Sequence, residues 1–178
     1  RVTGGKYVTG NKISIMQEKF ETFPAPAFSA SGSMITASSS LSYFSEGSRA
    51  VRLAYTGTPS AGLTSGNNSY GMTANLNLST YARAELSFSH ICALEKDDVT
   101  FDAGYVQYSP DAGATWITFP TASYSGPGGL ITTVNGLPVS GTVFSTKSYT
   151  DWADLFTSNT STPGLAGPSQ TLWKTERI

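Results

Sequence analysis

Apolar and polar residues alternate over several short stretches of the chain, and this period of two predicts β-strands. The clearest stretch runs from 81 to 116. In its first half, one predicted face carries Ala84, Leu86, Phe88 and His90, and the other carries Glu85, Ser87 and Ser89. Residues 105–109 in the second half alternate in the same way. We therefore predict two facing strands here, around which the rest of the chain is organised.

A turn and a return strand are predicted at the end of this stretch. Pro110 presets φ, Asp111 bonds back to the backbone and Gly113 accepts positive φ, so together they form a turn signal. From Thr115 onward the residues are β-branched and aromatic, which favours a strand. Trp116 starts this strand directly after the turn, and we expect it to lie in the core.

Segments of strand-like composition recur along the chain between turn signals. We predict a strand within 13–20, a core strand at 49–55, a short strand at 130–134, a strand plus a helical turn within 143–156, and a strand at 171–178. The chain shows no sustained helical period. Many short strands separated by turns predict an all-β protein with the architecture of an antiparallel β-sandwich.

The composition narrows the class of protein. A chain of 178 residues is predicted to form one domain with a hydrophobic core. Charged residues are only 13% of the chain, while small polar residues are abundant, which suits a secreted or cell-surface β-protein. With a formal net charge of −1, the chain lacks the positive electrostatic field that nucleic-acid binding requires, so a general DNA or RNA partner is excluded. The sequence has no apolar run of about 18 residues, so no membrane span is predicted.

His90 and Cys92 are the single histidine and the single cysteine of the chain. Because they lie two residues apart in a predicted strand, they share a face. One interpretation is a nucleophile and its base, or part of a metal site. The other is a sheet histidine bonded to a neighbouring strand, beside a cysteine that packs as a small buried hydrophobe. We favour the second, because the chain lacks a zinc-type ligand set.

An acidic segment lies between the two predicted facing strands. Its carboxylates are Glu95, Asp97, Asp98 and Asp102. Because Ca²⁺ takes about six to eight oxygen ligands, an acidic loop of this kind predicts a structural calcium site. A solvated acidic loop is the alternative. A glycosidase acid–base pair is a further interpretation, which spacing along the chain does not support.

Three aromatic residues are candidates for contact with a ligand. Tyr70, Tyr124 and Trp152 lie in polar, loop-like segments, where an aromatic face is able to stack on a sugar ring. The alternative for each is packing in the core or at its rim, which is the commoner role of large aromatic residues in a sandwich.

Four phrases, taken in order, carry a resemblance to a known family. They are FETFP at 20–24, EGSRAVRL at 46–53, the stretch 76–116 with its ending GATW, and LWKTERI at 172–178. Together they resemble the MAM-like jelly-roll modules of secreted bacterial proteins. Such modules occur on type IX secretion cargo, including adhesins, and beside peptidase or glycoside hydrolase domains. The resemblance covers most of the chain from Phe20 onward.

The resemblance implies a jelly-roll-type antiparallel β-sandwich over residues 20–178, preceded by a leader strand or linker at 1–19. Related jelly rolls hold a structural Ca²⁺, which extends the candidate ligand set. That set then comprises Glu21, Glu46, Asp97, Asp98 and Asp102. Modules of this family continue beyond the position that matches Ile178, so we expect the sandwich to be incomplete at its C-terminus. The rest of a longer chain, or strand addition by a partner, would complete it.

These observations favour a non-catalytic binding or adhesion module of a larger secreted or cell-surface protein, with a glycan or a surface protein as its partner. Two alternatives stay open. In the first, the chain is an accessory domain of a secreted peptidase or glycoside hydrolase. In the second, it is type IX secretion cargo or a surface-assembly subunit that contacts the secretion machinery.

Overall fold

Antiparallel β-strands dominate the part of the chain that the structure describes. The computed structural model describes residues 12–31, 35–41, 43–55, 69–72, 75–92, 103–120, 124, 131–134, 137–145, 148–155 and 170–178. Its strands are β1 (Phe28–Ser31), β2 (Ile35–Ser40), β3 (Ala50–Tyr55), β4 (Ser69–Met72), β5 (Ser87–His90), β6 (Gln107–Tyr108), β7 (Ile117–Thr118), β8 (Ile131–Val134), β9 (Leu137–Val143) and β10 (Lys174–Arg177). The prediction of a strand-rich chain with little helix is confirmed.

The helical segments among the described residues are short and include α1 (Thr150–Leu155) and a 3-10 turn at Gln170–Leu172. Neither segment has the length and apolar character that a membrane span needs. Of the strand and helical turn predicted within 143–156, the helical turn is confirmed as α1, whereas the strand lies earlier in the chain, because β9 ends at Val143.

The described strands pair as five antiparallel ladders. The partners are β1 with β4, β2 with β3, β5 with β10, β6 with β7, and β8 with β9. The β8–β9 ladder is irregular, because its register shifts between Ile131 and Thr133. An isolated bridge joins Gly104 to Phe144 and so ties the segment before β6 to the end of β9.

The β5–β10 ladder brings the centre of the chain against its last described residues. His90 lies opposite Lys174, and Phe88 lies opposite Glu176. Ser89 points to the other face, where its hydroxyl lies 2.8 Å from a threonine hydroxyl of β10. The alternation predicted for this strand is therefore confirmed, and its less exposed face carries Phe88 and His90.

The predicted partner of this strand was wrong. Within the described residues β5 pairs with β10, and residues 107–108 pair with β7 instead of facing β5. Both arrangements satisfy the same alternating pattern, because the period of two specifies the faces of a strand and not its neighbour. The strand predicted at 171–178 is confirmed as β10.

The β6–β7 hairpin forms around the predicted turn. The Asp111 carboxylate accepts hydrogen bonds from the Thr115 amide at 2.8 Å and the Thr115 hydroxyl at 2.7 Å. The Gly113 amide donates to the Ser109 hydroxyl at 2.6 Å, and Gly113 has a φ of +94°, which a glycine adopts without strain. These bonds hold the turn closed and fix the register of the two short strands.

Trp116 does not lie in the core as predicted, because 55% of its surface is exposed. Its ring rests beside the turn, where a Cβ at Gly113 would lie 3.9 Å from Cζ2 of Trp116. The ladder that contains it is only two strands wide in the described residues, so the outer face of the hairpin stays open to solvent.

The first described segment lacks the strand predicted within 13–20. The Glu18 carboxylate accepts a hydrogen bond from the Phe20 amide at 2.6 Å, and Phe20 has a φ of +59°. This local bond competes with a strand ladder and turns the backbone instead. The strand predicted at 49–55 is confirmed as β3, but its predicted place in the core is not, because Ala50 is buried while Leu53 is exposed.

The described core is centred on Trp152, which is fully buried and packs against Leu172. The Trp152 indole donates from Nε1 to the Leu172 carbonyl at 2.7 Å, so its polar atom is satisfied. Ser145 and Ser148 are buried nearby and bond to each other, with the Ser145 amide donating to the Ser148 hydroxyl at 2.9 Å. This turn leads from β9 into α1 and positions the helix against β5 and β10.

Candidate functional site

Four polar side chains meet on the inner face of the β5–β10 ladder, and we call them the buried polar cluster. Its members are His90, Tyr124, Tyr149 and Glu176. β5 supplies the histidine, β10 supplies the glutamate, and the turn before α1 supplies Tyr149. Tyr124 comes from the connection between β7 and β8.

Glu176 is the centre of the buried polar cluster, since its side chain has no exposed surface. The Tyr149 hydroxyl donates a short hydrogen bond to Oε1 of Glu176. The other oxygen, Oε2, is buried and has no hydrogen-bond partner among the described residues. A buried carboxylate with only part of its hydrogen-bonding capacity used is costly to separate from its remaining partner. Glu176 therefore depends strongly on the groups that surround it.

His90 lies against Glu176 and inside a box of aromatic rings. Its Nε2 is 3.5 Å from Oε1 of Glu176, which is ion-pair range without hydrogen-bond geometry. The ring centroids of Phe144, Phe88 and Trp152 lie 4.6, 5.2 and 5.2 Å from that of His90. Burial lowers the pKa of His90, and the nearby carboxylate opposes this shift without cancelling it. The imidazole is therefore neutral at neutral pH.

Tyr124 and Tyr149 surround the carboxylate with phenol groups. Tyr124 is 8% exposed, and its hydroxyl has no hydrogen-bond partner in the described part of the chain. Burial raises the pKa of Tyr124 to about 12, and the charge of Glu176 adds to the shift. Burial is also the largest cause that raises the pKa of Tyr149, and the hydrogen bond to Glu176 raises this pKa further. Both phenols therefore stay protonated over the whole physiological range.

An ion pair lies at the rim of the buried polar cluster. The Lys174 ammonium donates a short hydrogen bond to the Asp151 carboxylate, and its Nζ lies 5.1 Å from the centre of the Tyr149 ring. Lys174 thus forms an ion pair with a residue of α1 and a cation–π contact with Tyr149. It is not a counter-ion in contact with Glu176.

The arrangement around Cys92 supports the packing interpretation. Its Sγ lies 3.6 Å from the Phe144 carbonyl oxygen, and the residue packs against the Trp152 core. The predicted bond of His90 to a neighbouring strand takes the form of the 3.5 Å contact with Glu176 of β10.

A second set of polar and aromatic residues lies on the open face of the β6–β7 hairpin, and we call it the hairpin face. Its members are Tyr105, Gln107, Trp116 and Thr118. Gln107 lies opposite Thr118, and its amide donates to the threonine hydroxyl at 3.2 Å. Tyr105 is 45% exposed and Trp116 is 55% exposed. Tyr105 and Trp116 lie two residues outside Gln107 of β6 and Thr118 of β7, and an extended backbone that continues the alternation over these residues puts both rings on the side of this amide and hydroxyl.

The three aromatic candidates from the sequence are placed differently. Trp152 is fully buried and Tyr124 nearly so, so neither offers a ring face to an external ligand, and the alternative of core packing holds for both. Tyr70 lies in β4 opposite Ala30, and its side chain is outside the described residues. The exposed rings of Tyr105 and Trp116 are better placed for contact. Their shared face follows from alternation on either side of the predicted turn, which is a signal present in the sequence.

Of the candidate metal ligands, the structure describes only Glu21 and Glu46. Asp97, Asp98 and Asp102 lie outside the described residues. The Glu21 carboxylate accepts hydrogen bonds from the Ser48 amide at 2.8 Å and the Ser48 hydroxyl at 2.6 Å. Glu46 pairs with Lys19 at 3.4 Å. Among the described residues, no three His, Cys, Asp or Glu side chains are grouped as a metal site would need. Calcium binding stays a prediction for the acidic segment.

Neither Tyr149 nor Glu176 stands out in the sequence. Glu176 occupies one position in an ordinary mixture of charged and polar residues, and nothing local marks it as buried. Only the pairing of β10 with β5 turns its side chain toward the core.

Comparison of the chain with models of protein families, with curated proteins and with solved structures found no match.

Proposed function

We propose that this chain is a non-catalytic binding module of a secreted or cell-surface protein, and that the hairpin face binds a neutral glycan. The observation that carries the proposal is the pair of exposed rings, Tyr105 and Trp116, flanking the Gln107 amide and the Thr118 hydroxyl. Within the strand-rich architecture, the finer assignment to an antiparallel jelly-roll-type sandwich belongs to the same proposal.

The spacing of the hairpin face suits an extended oligosaccharide. One step beyond the pair Tyr108–Ile117, the register of the hairpin sets Trp116 opposite position 109. Position 109 is four residues from Tyr105, so the two aromatic residues are about 13 Å apart along an extended strand. Aromatic faces stack on the apolar faces of sugar rings, and the amide and hydroxyl between them supply donors and acceptors for sugar hydroxyls. A ligand that touches both rings must therefore contain more than one sugar unit.

The charge of the hairpin face favours a neutral ligand. All four of its side chains are uncharged, and the neighbouring Asp111 carboxylate is occupied by Thr115 and Ser109 inside the turn. An acidic or basic ligand would find no opposite charge among these residues.

Two further features support a binding role over catalysis. The single histidine of the chain is enclosed by aromatic rings in the buried polar cluster and does not accompany the exposed aromatic residues. The low charge content is typical of extracellular β-proteins. A module of this kind would serve equally in an adhesin, beside a hydrolase domain, or on secretion cargo.

The proposal is tested by glycan-array screening of the purified chain, followed by calorimetry with the best neutral oligosaccharide. We expect Trp116→Ala and Tyr105→Ala to weaken binding at least tenfold each, since a sugar ring loses its stacking partner. Tyr81→Ala removes another exposed tyrosine outside the hairpin face and serves as the matched control. Glycan binding that survives both hairpin substitutions would contradict the site, and hydrolysis of a glycan by this chain alone would contradict the non-catalytic role.

A further inference from the structure

We propose that the buried polar cluster makes the β5–β10 ladder acid-sensitive, so that protonation of His90 between pH 7 and pH 5 loosens β10 from β5. This inference is independent of glycan binding. It rests on the enclosure of the imidazole, the burial of Glu176 and the position of both residues on the two strands of one ladder.

The attachment of β10 depends on few groups. Among the described strands, β10 pairs only with β5. The side chains of β10 on the face of His90 are Lys174 and Glu176. Just before β10, the Leu172 carbonyl accepts a hydrogen bond from the Trp152 indole. Thr175 and Arg177 are exposed and contribute little burial. A change in the charge of the buried polar cluster therefore acts directly on the side chain that anchors this strand.

The titratable and charged groups around His90 come from each packed element. β10 contributes Glu176 and Lys174, the turn before α1 contributes Tyr149, and α1 contributes Asp151. Lys174 and Asp151 neutralise each other at the rim. Tyr124 and Cys92 complete the described surroundings, and the raised pKa of Tyr124 keeps its hydroxyl neutral at pH 5 to 7.

An imidazolium at this position lacks good hydration. Three aromatic rings enclose His90, and its Nε2 lies 3.5 Å from the Glu176 carboxylate without a hydrogen-bond partner among the described residues. Opening the ladder exposes the imidazole to water, where it takes up a proton at its ordinary pKa of 6.5. Proton uptake therefore favours the open ladder.

The sign of the pH dependence follows from linkage. The pKa of His90 is lowered in the folded chain, so the open state binds more protons as the pH falls below 6.5. The stability of the ladder is complete above this pH and is lost as the pH falls. Because the chain has one histidine, the response between pH 7 and pH 5 reports this side chain.

The test is amide hydrogen exchange of the 178-residue chain at pH 7, 6 and 5, expressed as protection factors that remove the intrinsic effect of pH. We expect the protection of β10 amides to fall several-fold by pH 5, with an upper limit of about 25-fold for a histidine that is not protonated in the closed state. Amides of the β6–β7 hairpin are the internal control, since they carry no group that titrates in this range.

Two measurements make the outcome decisive. His90→Phe keeps a ring in the aromatic box without a titrating group, and we expect its β10 protection to be independent of pH from 7 to 5. An unchanged acid response in His90→Phe would overturn the proposal. For the unaltered chain, NMR titration of the single imidazole is expected to give a midpoint below pH 6.5. A midpoint above 6.5 would mean that Glu176 stabilises the imidazolium and that the ladder tightens in acid.

Discussion

The buried polar cluster and the hairpin face use similar residues in opposite surroundings. Each combines aromatic rings with hydrogen-bonding side chains, yet Trp152 beside the buried polar cluster has no exposed surface and Trp116 on the hairpin face is more than half exposed. In the interior the rings exclude water and raise the cost of charge. At the surface the same kind of ring is free to meet a ligand. Exposure, more than residue type, separates a structural site from a candidate binding site.

The two regions also differ in how their polar groups are satisfied. In the turn of the β6–β7 hairpin, beside the hairpin face, the polar side chains bond mainly to one another and to nearby amides. In the buried polar cluster, His90 Nε2, Tyr124 Oη and Glu176 Oε2 lack hydrogen-bond partners among the described residues. The interior site is therefore the one whose energy depends most on protonation.

The largest expected difference between the two regions concerns their tryptophans. Trp152→Ala removes a fully buried ring and should lower the free energy of unfolding by about 3–5 kcal/mol, since a cavity replaces it. Trp116→Ala is the matched substitution on the hairpin face and should cost about 0.5 kcal/mol or less. Urea denaturation of both variants measures the contrast. Equal losses would remove the distinction between a core site and a surface site.

A smaller difference is expected between two tyrosine hydroxyls. Tyr149→Phe removes the donor to the buried Glu176 carboxylate and should destabilise the chain by about 1–3 kcal/mol. Tyr108→Phe removes an exposed hydroxyl from the hairpin and should have no measurable effect. The same denaturation assay at pH 7 compares them. If Tyr149→Phe were neutral, the hydroxyl would not be supporting the carboxylate.

Alkaline pH should weaken the interior through its two phenols. Burial raises the pKa of Tyr124 to about 12 and also raises that of Tyr149, whereas an unfolded tyrosine ionises near pH 10. The unfolded state therefore releases protons first, and stability is present below pH 10 and lost as the pH rises above it. We expect a loss of roughly 1 kcal/mol or less from Tyr124 at pH 11.

Tyr124→Phe is the control for this alkaline effect. Denaturation at pH 9 and pH 11 should show a smaller loss in the variant than in the unaltered chain. A loss of equal size in both would assign the alkaline response to other groups.

The smallest effect is expected at the turn of the hairpin. The Thr115 amide and hydroxyl lower the pKa of Asp111, so the support of the turn is present above the ordinary carboxyl pKa of 3.8 and is lost as the pH falls through the lowered value. Asp111→Ala should reduce the amide protection of the hairpin and weaken glycan binding a few-fold, with little change in global stability. Asp111→Asn keeps one acceptor oxygen, so its hairpin protection should lie between that of the unaltered chain and that of Asp111→Ala. Unchanged hairpin protection in Asp111→Ala would show that the side chain does not hold the turn.

Local features of the fold could be predicted well from the sequence. The alternation of residues 87–90, the turn at 110–113 and the strands at 49–55 and 131–134 depend on side-chain period and turn chemistry within a few residues. The segment 13–20 was predicted wrongly as a strand, because a single side-chain bond from Glu18 to the Phe20 backbone overrides a weak apolar pattern.

Which residues of each strand share a face follows from local sequence, because it depends only on the backbone period of two. The pairing of β5 with β10, which turns Glu176 toward His90, and the exposure of Trp116 both depend on the folded chain. Such pairings join residues more than 80 positions apart, and many partners satisfy the same alternation. The choice among them is made by the packing of the whole chain, so the faces are local information and their burial is not.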